Sequence, residues 1–333
     1  METATLGRGG PAVSRVGLGL MGMSGTYGPA DDTESIATIR AALDAGITLL
    51  DTGDFYGMGH NEMLLGRALR GVPRDRVFIQ VKFGARRDPG GGWLGYDASP
   101  AAVKSSLAYS LRRLGTDYVD LYQPARLDPR VPIEDTIGAI GDMITAGYVR
   151  YAGLSEVGAR TIGRALAVHP VAALQIEYSL VSRGIEGGLL PFLREHGVGV
   201  TAYGVMSRGL LSPATARPDG PADPRSRFPR FQAGNLASNL ALAAALERLA
   251  AERGATAAQL AIAWVLARGA DIIPLIGTKR RVRLAEALGA LDHTLTAADL
   301  AAIEAAVPAG AVAGDRYDER GMATLDSERP AGS

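Results

Sequence analysis

An aspartate, a tyrosine and a lysine sit close behind short apolar runs: Asp51 and Tyr56 follow Ile47-Thr48-Leu49-Leu50, and Lys82 follows Val77-Phe78-Ile79-Gln80-Val81. Both runs read as strands. A phenol can give up a proton. A buried ammonium beside it favours the phenolate, and a carboxylate keeps that ammonium charged. The set therefore predicts a tyrosine pKa lowered from its ordinary value and a proton donor usable near neutral pH. Asp54, between them, reads as a turn residue rather than a catalyst.

These side chains need a frame that brings strand ends together. The chain alternates short apolar runs with longer amphipathic ones. Strands are expected at 15–20, 47–50, 77–81, 118–122, 150–154, 172–176, 198–202 and 272–276. Helices are expected at 32–45, 60–70, 100–114, 133–146, 158–168, 185–196, 256–268 and 280–290. Asp31 or Asp32 supplies a cap for the first helix, and Ser99-Pro100 has the chemistry of a cap and first turn. Eight strands separated by helices predict an α/β fold, a closed (β/α)8 TIM barrel, as one domain over 1–333. Residues 1–14 are expected to form an N-terminal hairpin under the barrel floor. The stretch 205–253 reads as a long loop and inserted helix, starting at 236. Extra C-terminal structure follows as a helix at 297–306 and a polar, partly loose tail at 307–333. In a barrel, side chains that follow strands gather at the C-terminal mouth, so Asp51, Tyr56 and Lys82 should converge there.

Composition narrows the chemistry. The 333 residues carry no net charge, which gives no reason to expect nucleic acid or an anionic membrane as a partner. There is no cysteine, which excludes disulfides, thiolate catalysis and Cys-ligated metal sites. The four histidines, His60, His169, His196 and His293, show no metal-ligand spacing, and only His60 follows the Tyr56 loop. No metal is expected. The first residues lack a basic flank and an apolar core, and no apolar run reaches membrane-spanning length, so a cytoplasmic protein is expected. Gly17-Leu18-Gly19-Leu20-Met21-Gly22 matches the open-sheet dinucleotide fingerprint weakly, because a loop rather than a helix follows it. Lys279, Arg280, Arg281 and Arg283 follow the eighth strand, where barrels commonly bind phosphate.

Longer motifs carry a resemblance over nearly the whole chain. They are Gly19-Leu20-Met21-Gly22-Met23-Ser24-Gly25-Thr26-Tyr27-Gly28, Asn61-Glu62 with Leu65-Gly66, Pro132-Ile133-Glu134-Asp135-Thr136, Gly153-Leu154-Ser155-Glu156 and Gln175-Ile176-Glu177-Tyr178-Ser179. Pro229-Arg230-Phe231 with Asn235-Leu236, and Gln259-Leu260-Ala261-Ile262-Ala263-Trp264, complete the set. Together they resemble the aldo-keto reductases, in particular the bacterial and plant branch with pyridoxal-reductase-like enzymes.

The resemblance implies an NADPH-dependent reductase that passes a hydride to the carbonyl of a small aldehyde or ketone, with Tyr56 as proton donor and Lys82 and Asp51 tuning it. It places Gly22 and Met23 at the cofactor, Ser155 and Gln175 on the nicotinamide carboxamide, and Tyr203 against the nicotinamide ring. Ser207, Arg208 and Gly209 would line the pyrophosphate, Thr278, Lys279 and Arg283 the 2′-phosphate, and Glu286 the adenine. Two positions depart from the pattern. Glu156 stands where relatives often have Asn, so one amide contact changes character. Ala125 stands at the catalytic His position. Arg126 is the nearest substitute donor, but strand alternation should turn it away from the lumen side that Ala125 faces. The missing imidazole at Ala125 admits three readings: a carbonyl reductase relying on Tyr56 alone, a reductase of imines or bulky natural-product carbonyls, or a catalytically weak nucleotide-binding, redox-sensing module. The expected partner is a small molecule. Monomer and homo-oligomer are both compatible with the sequence.

Overall fold

A computed structural model describes residues 1–212, 217–220 and 223–328. Residues 213–216 and 221–222 of the 205–253 segment, and 329–333 of the 307–333 tail, lie outside the described residues. Eight parallel strands close into a barrel: Gly17–Gly19, Leu49–Gly53, Phe78–Phe83, Val119–Pro124, Val149–Ser155, Val171–Glu177, Gly199–Tyr203 and Ile272–Gly277. The last pairs with the first, Leu275 opposite Gly17 and Gly277 opposite Gly19. Every residue of the second, third and fourth strands is buried, as expected when helices cover one face and packed side chains fill the other.

Each strand is followed by a barrel helix, Asp32–Asp44, His60–Ala68, Pro100–Leu114, Ile133–Thr145, Ala159–Leu166, Leu189–His196, Ala257–Ala267 and Arg281–Leu288, with further helices after the seventh and eighth strands. Local chemistry sets several boundaries. Asp31, not Asp32, caps the first helix by accepting the Glu34 amide. Ser99 caps the third ahead of Pro100, and Gly115 closes it in the left-handed conformation that spares a side chain strain. Thr256 and Gln259 form a reciprocal capping box.

At the floor, Thr3–Thr5 pairs antiparallel with Ala12–Ser14. Leu6 and Val13 are fully buried and pack with Leu49, Phe78, Leu121 and Leu275. Gly7 has φ +79°, and a β-carbon there would lie 2.5 Å from the Ala172 carbonyl oxygen, so no other residue lets the hairpin approach so closely.

Between the third strand and its helix, Ala85–Arg87 pairs antiparallel with Trp93–Tyr96, turning through Gly91 at φ +83°. Two regions differ from expectation. The inserted helix begins earlier than expected, spanning Ala233–Ala251. The tail is not loose over its described length. Its Val307 is fully buried, Arg316 is 5% and Leu325 1% exposed, and a short helix spans Glu319–Ala323. Asn239 fastens this segment by exchanging two hydrogen bonds with the Ala313 backbone.

Candidate active site

The second and third barrel strands lie side by side with Gly53 opposite Lys82, and the third and fourth with Lys82 opposite Gln123. This register brings the sequence-predicted residues to one level of the mouth. Lys82 Nζ donates to Asp51 Oδ1 at 2.6 Å, and each residue is 4% exposed. The same oxygen accepts from Gln175 Nε2 at 2.8 Å and Gln80 Nε2 at 3.1 Å. Gln80, which sequence reasoning missed, lies two residues before Lys82 and so shares its strand face. Tyr56 sits on the turn after Gly53, and Lys82 Nζ lies 5.2 Å from its ring centroid.

Electrostatics at Tyr56 run opposite to expectation. Its pKa is raised well above the ordinary value, first by burial, then by the Asp51 charge and by Tyr27, with Arg126 opposing. Lys82 is itself pushed down by burial, against the pull of Asp51. Desolvation outweighs the neighbouring ammonium, so the resting phenol keeps its proton.

Arg126 is the second correction. It does not turn away. The fourth strand ends at Pro124, and Arg126 lies beyond it, where strand alternation no longer applies. Its Nη1 donates to its neighbour's carbonyl, Ala125 O, at 2.6 Å, and its Nη2 reaches the Tyr317 hydroxyl at 3.4 Å. Its charge is felt at Tyr56, Lys82 and Tyr96. Ala125 itself is 3% exposed, its amide held by Phe83 O at 2.8 Å.

Strands five to seven bring Ser155, Gln175 and Tyr203 to the other side of the mouth. The Ser155 hydroxyl is buried with no hydrogen-bond partner, whereas the Gln175 amide nitrogen is committed to Asp51. Glu156 has φ +55°, a strained conformation for a non-glycine residue. Its carboxylate is saturated. Arg316 from the tail donates to both oxygens at 2.7 Å, Tyr203 Oη donates at 2.6 Å and Ser327 Oγ at 2.7 Å. Burial works to raise this carboxyl, but Arg316, Arg126 and Tyr203 overcome it and hold it at about 2. Tyr317 follows Arg316, and its hydroxyl lies 2.9 Å from that of Tyr203. Neither tail residue was foreseen. The one signal was Glu156 itself: an acid where relatives carry an amide calls for a cation elsewhere in the chain.

Ser207, Arg208 and Gly209 form a tight turn with φ of +45°, +57° and +88°. The Arg208 guanidinium lies between the Phe228 and Tyr317 rings at 4.4 and 4.5 Å, and 3.5 Å from Glu177. Gly22 and Met23 lie in a short turn, Met21–Ser24, directly after the first strand. The residues expected around the adenosine end form a separate group. Lys279 donates to the carbonyls of Tyr27, Gly28 and Pro29, while Arg283 pairs with Glu286 at 2.6 Å. The Thr278 hydroxyl turns to the Arg280 backbone. His60 is not part of the mouth cluster. It bridges Ser24 and Asp32, and its neighbour Asn61 ties Thr52, Leu20 and Ser24 together.

The aldo/keto reductase family model matches residues 15–308. A probable aldo-keto reductase 1 of Glycine max is 41% identical over 321 residues, covering 95% of this chain and 92% of its own. The solved glycerol dehydrogenase of Gluconobacter oxydans superposes with a TM-score of 0.82 at 31% identity, covering 91% of this chain and 94% of that one. An aldo/keto reductase of Klebsiella pneumoniae, solved with NADP and acetate, gives 0.75 at 27% identity, covering 96% and 99%. Barrel, strand-end cluster and whole-chain similarity agree, and the chain belongs to the aldo/keto reductase family.

Proposed function

We propose that this protein is an NADPH-dependent reductase of small aldehydes or ketones, of the pyridoxal-reductase-like branch, with Tyr56 as the proton donor. The observation that carries the reading is the buried Lys82–Asp51 pair set against the Tyr56 ring. The residues expected at the nicotinamide end suit the cofactor. The Ser155 hydroxyl is a buried polar group still lacking a partner, as an amide-binding hydroxyl would be. Gln175 retains its side-chain carbonyl oxygen as an acceptor beyond its bond to Asp51. Ser155 and Gln175 would hold the carboxamide, Tyr203 the ring face, and Gly22 and Met23 the approach along the first strand. Ser207, Arg208 and Gly209 would hold the pyrophosphate. Thr278, Lys279 and Arg283 would take the 2′-phosphate, with Glu286 at the adenine. When bound, the cofactor supplies a hydride.

The chain's own part is proton delivery. Burial keeps the Tyr56 phenol loaded at physiological pH, and the Lys82 charge steadies the phenolate left after transfer to the alkoxide oxygen. Asp51 holds Lys82 in place, and the two glutamines hold Asp51. Removing the phenol tests the assignment. Tyr56→Phe should lower turnover of an aldehyde panel by about 10²–10⁴-fold, measured as NADPH oxidation, and leave NADPH affinity unchanged. Retained turnover would remove Tyr56 from the mechanism.

A further inference from the structure

The charges at the mouth do not balance evenly. Lys82 is answered by Asp51. Arg316 is answered by Glu156 and Glu328, and Arg208 and Arg230 share Glu177. Among the described residues Arg126 makes no ion pair. Its Nε is buried without any hydrogen-bond partner. The acid it feels most closely, Glu156, has both oxygens committed to Arg316, Tyr203 and Ser327. The phenols around it, Tyr96 and Tyr203, are held protonated by burial and offer no negative charge.

Arg126 is half-buried, but a guanidinium with a buried, unused Nε–H and no ion pair is costly, and a ligand anion would complete it. Position says which ligand. Arg126 follows strand four at the mouth, where its charge reaches Tyr56, Lys82 and Tyr96 as well as Tyr203 and Glu156. It stands next to Ala125, whose side chain is a single methyl group. A developing alkoxide would not balance this charge in the bound state, because it exists briefly and is quenched by the Tyr56 proton. A permanent anion on the substrate would. An Arg presents its donors in a planar fork suited to a carboxylate, and here the Nε–H remains to be used.

We propose that Arg126 docks a carboxylate on the substrate, so that the preferred substrates are carbonyl compounds that carry an acid group. The proposal rests on the reductase reading for its chemistry and on the Arg126 surroundings for its selectivity. It sets Arg126 as a specificity residue that touches substrate.

The test uses the full-length protein with NADPH and two aldehydes of one shape, 4-carboxybenzaldehyde and the methyl ester of the same acid. The acid should be favoured in kcat/KM by roughly 10²-fold. Arg126→Met should bring the two substrates level, through loss on the acid, and Arg126→Lys should keep part of the preference. Equal rates in the wild type, or equal losses for both substrates in Arg126→Met, would overturn the proposal. Calorimetric titration of benzoate into the protein saturated with NADP+ separates this from the reductase reading. If neither aldehyde is turned over yet benzoate binding depends on Arg126, the reductase reading fails and the carboxylate site stands. If benzoate binds the wild type and Arg126→Met alike, or binds neither, the carboxylate site fails whatever the turnover.

Discussion

Two buried ion pairs lie at the barrel mouth, and they resolve the same electrostatic conflict differently. In Lys82–Asp51, one ammonium meets one carboxylate oxygen that also serves Gln80 and Gln175. Burial wins there, and Lys82 is pushed below its ordinary pKa. In Arg316–Glu156, a planar fork meets both oxygens, with Tyr203 and Ser327 adding donors. Partners win there, and Glu156 is pulled down to about 2 despite burial. A single shared contact leaves a charge responsive to what arrives beside it. A saturated bidentate contact makes a fastener. The first pair sits against a phenol, and the second holds the chain's last segment over the mouth.

Breaking each pair should separate these roles. Lys82→Met leaves Asp51 buried and uncompensated, and should cost about 3–5 kcal/mol of stability, seen in urea unfolding. Glu156→Gln should cost less, about 1–3 kcal/mol, because Arg316 keeps Glu328 and lies 3.6 Å from Glu177. Its distinctive mark should be faster hydrogen exchange over 312–328 with barrel strands unchanged. Equal stability losses in the two variants, or exchange spreading into the barrel, would erase the distinction.

Acid should act on the second pair. The folded pKa of Glu156 is depressed from 4.5 to about 2, so the stability it contributes is complete above about 4.5 and is lost as pH falls towards 2. Tail exchange should accelerate through that window in the wild type, and Glu156→Gln should show no such step. The smallest effect belongs to Asp54, whose carboxyl is pushed up to about 7 by burial and by Glu62. A raised folded pKa favours the protonated form, so its contribution is present below about 4 and fades as pH rises through 7. Asp54→Asn should therefore raise the melting temperature most at pH 8 and clearly less at pH 5. An equal shift at both would mean that Asp54 stays charged.

What the sequence reveals and conceals follows the same divide. Asp51, Tyr56 and Lys82 are readable because adjacent strands and short turns position them, and the alternation of strand and helix fixes where those strands end. Arg126 is misread because an alternation rule was carried past Pro124, where the strand stops. The direction of the Tyr56 shift depends on a contest between burial and charge that spacing does not weigh. The partnership of Glu156 with Arg316 spans 160 residues and matches no local motif. Lys279 carries the expected charge, but its engagement with the Tyr27–Pro29 carbonyls is a matter of loop path.

The seam between the first and last strands bears on how the protein comes into being. Arg15 reaches the carbonyls of Ile272, Leu266 and Gly269 below the seam, and Lys279 reaches those of Tyr27 to Pro29 above it. These links join residues about 250 positions apart, so the loop they close is among the longest the chain contains. During synthesis Gly17–Gly19 can pair along one edge early, yet its other edge stays open until residue 272 and beyond have emerged. Barrel closure is thus a late step in folding, and a nascent chain stalled before that point would display an unguarded strand edge to its neighbours.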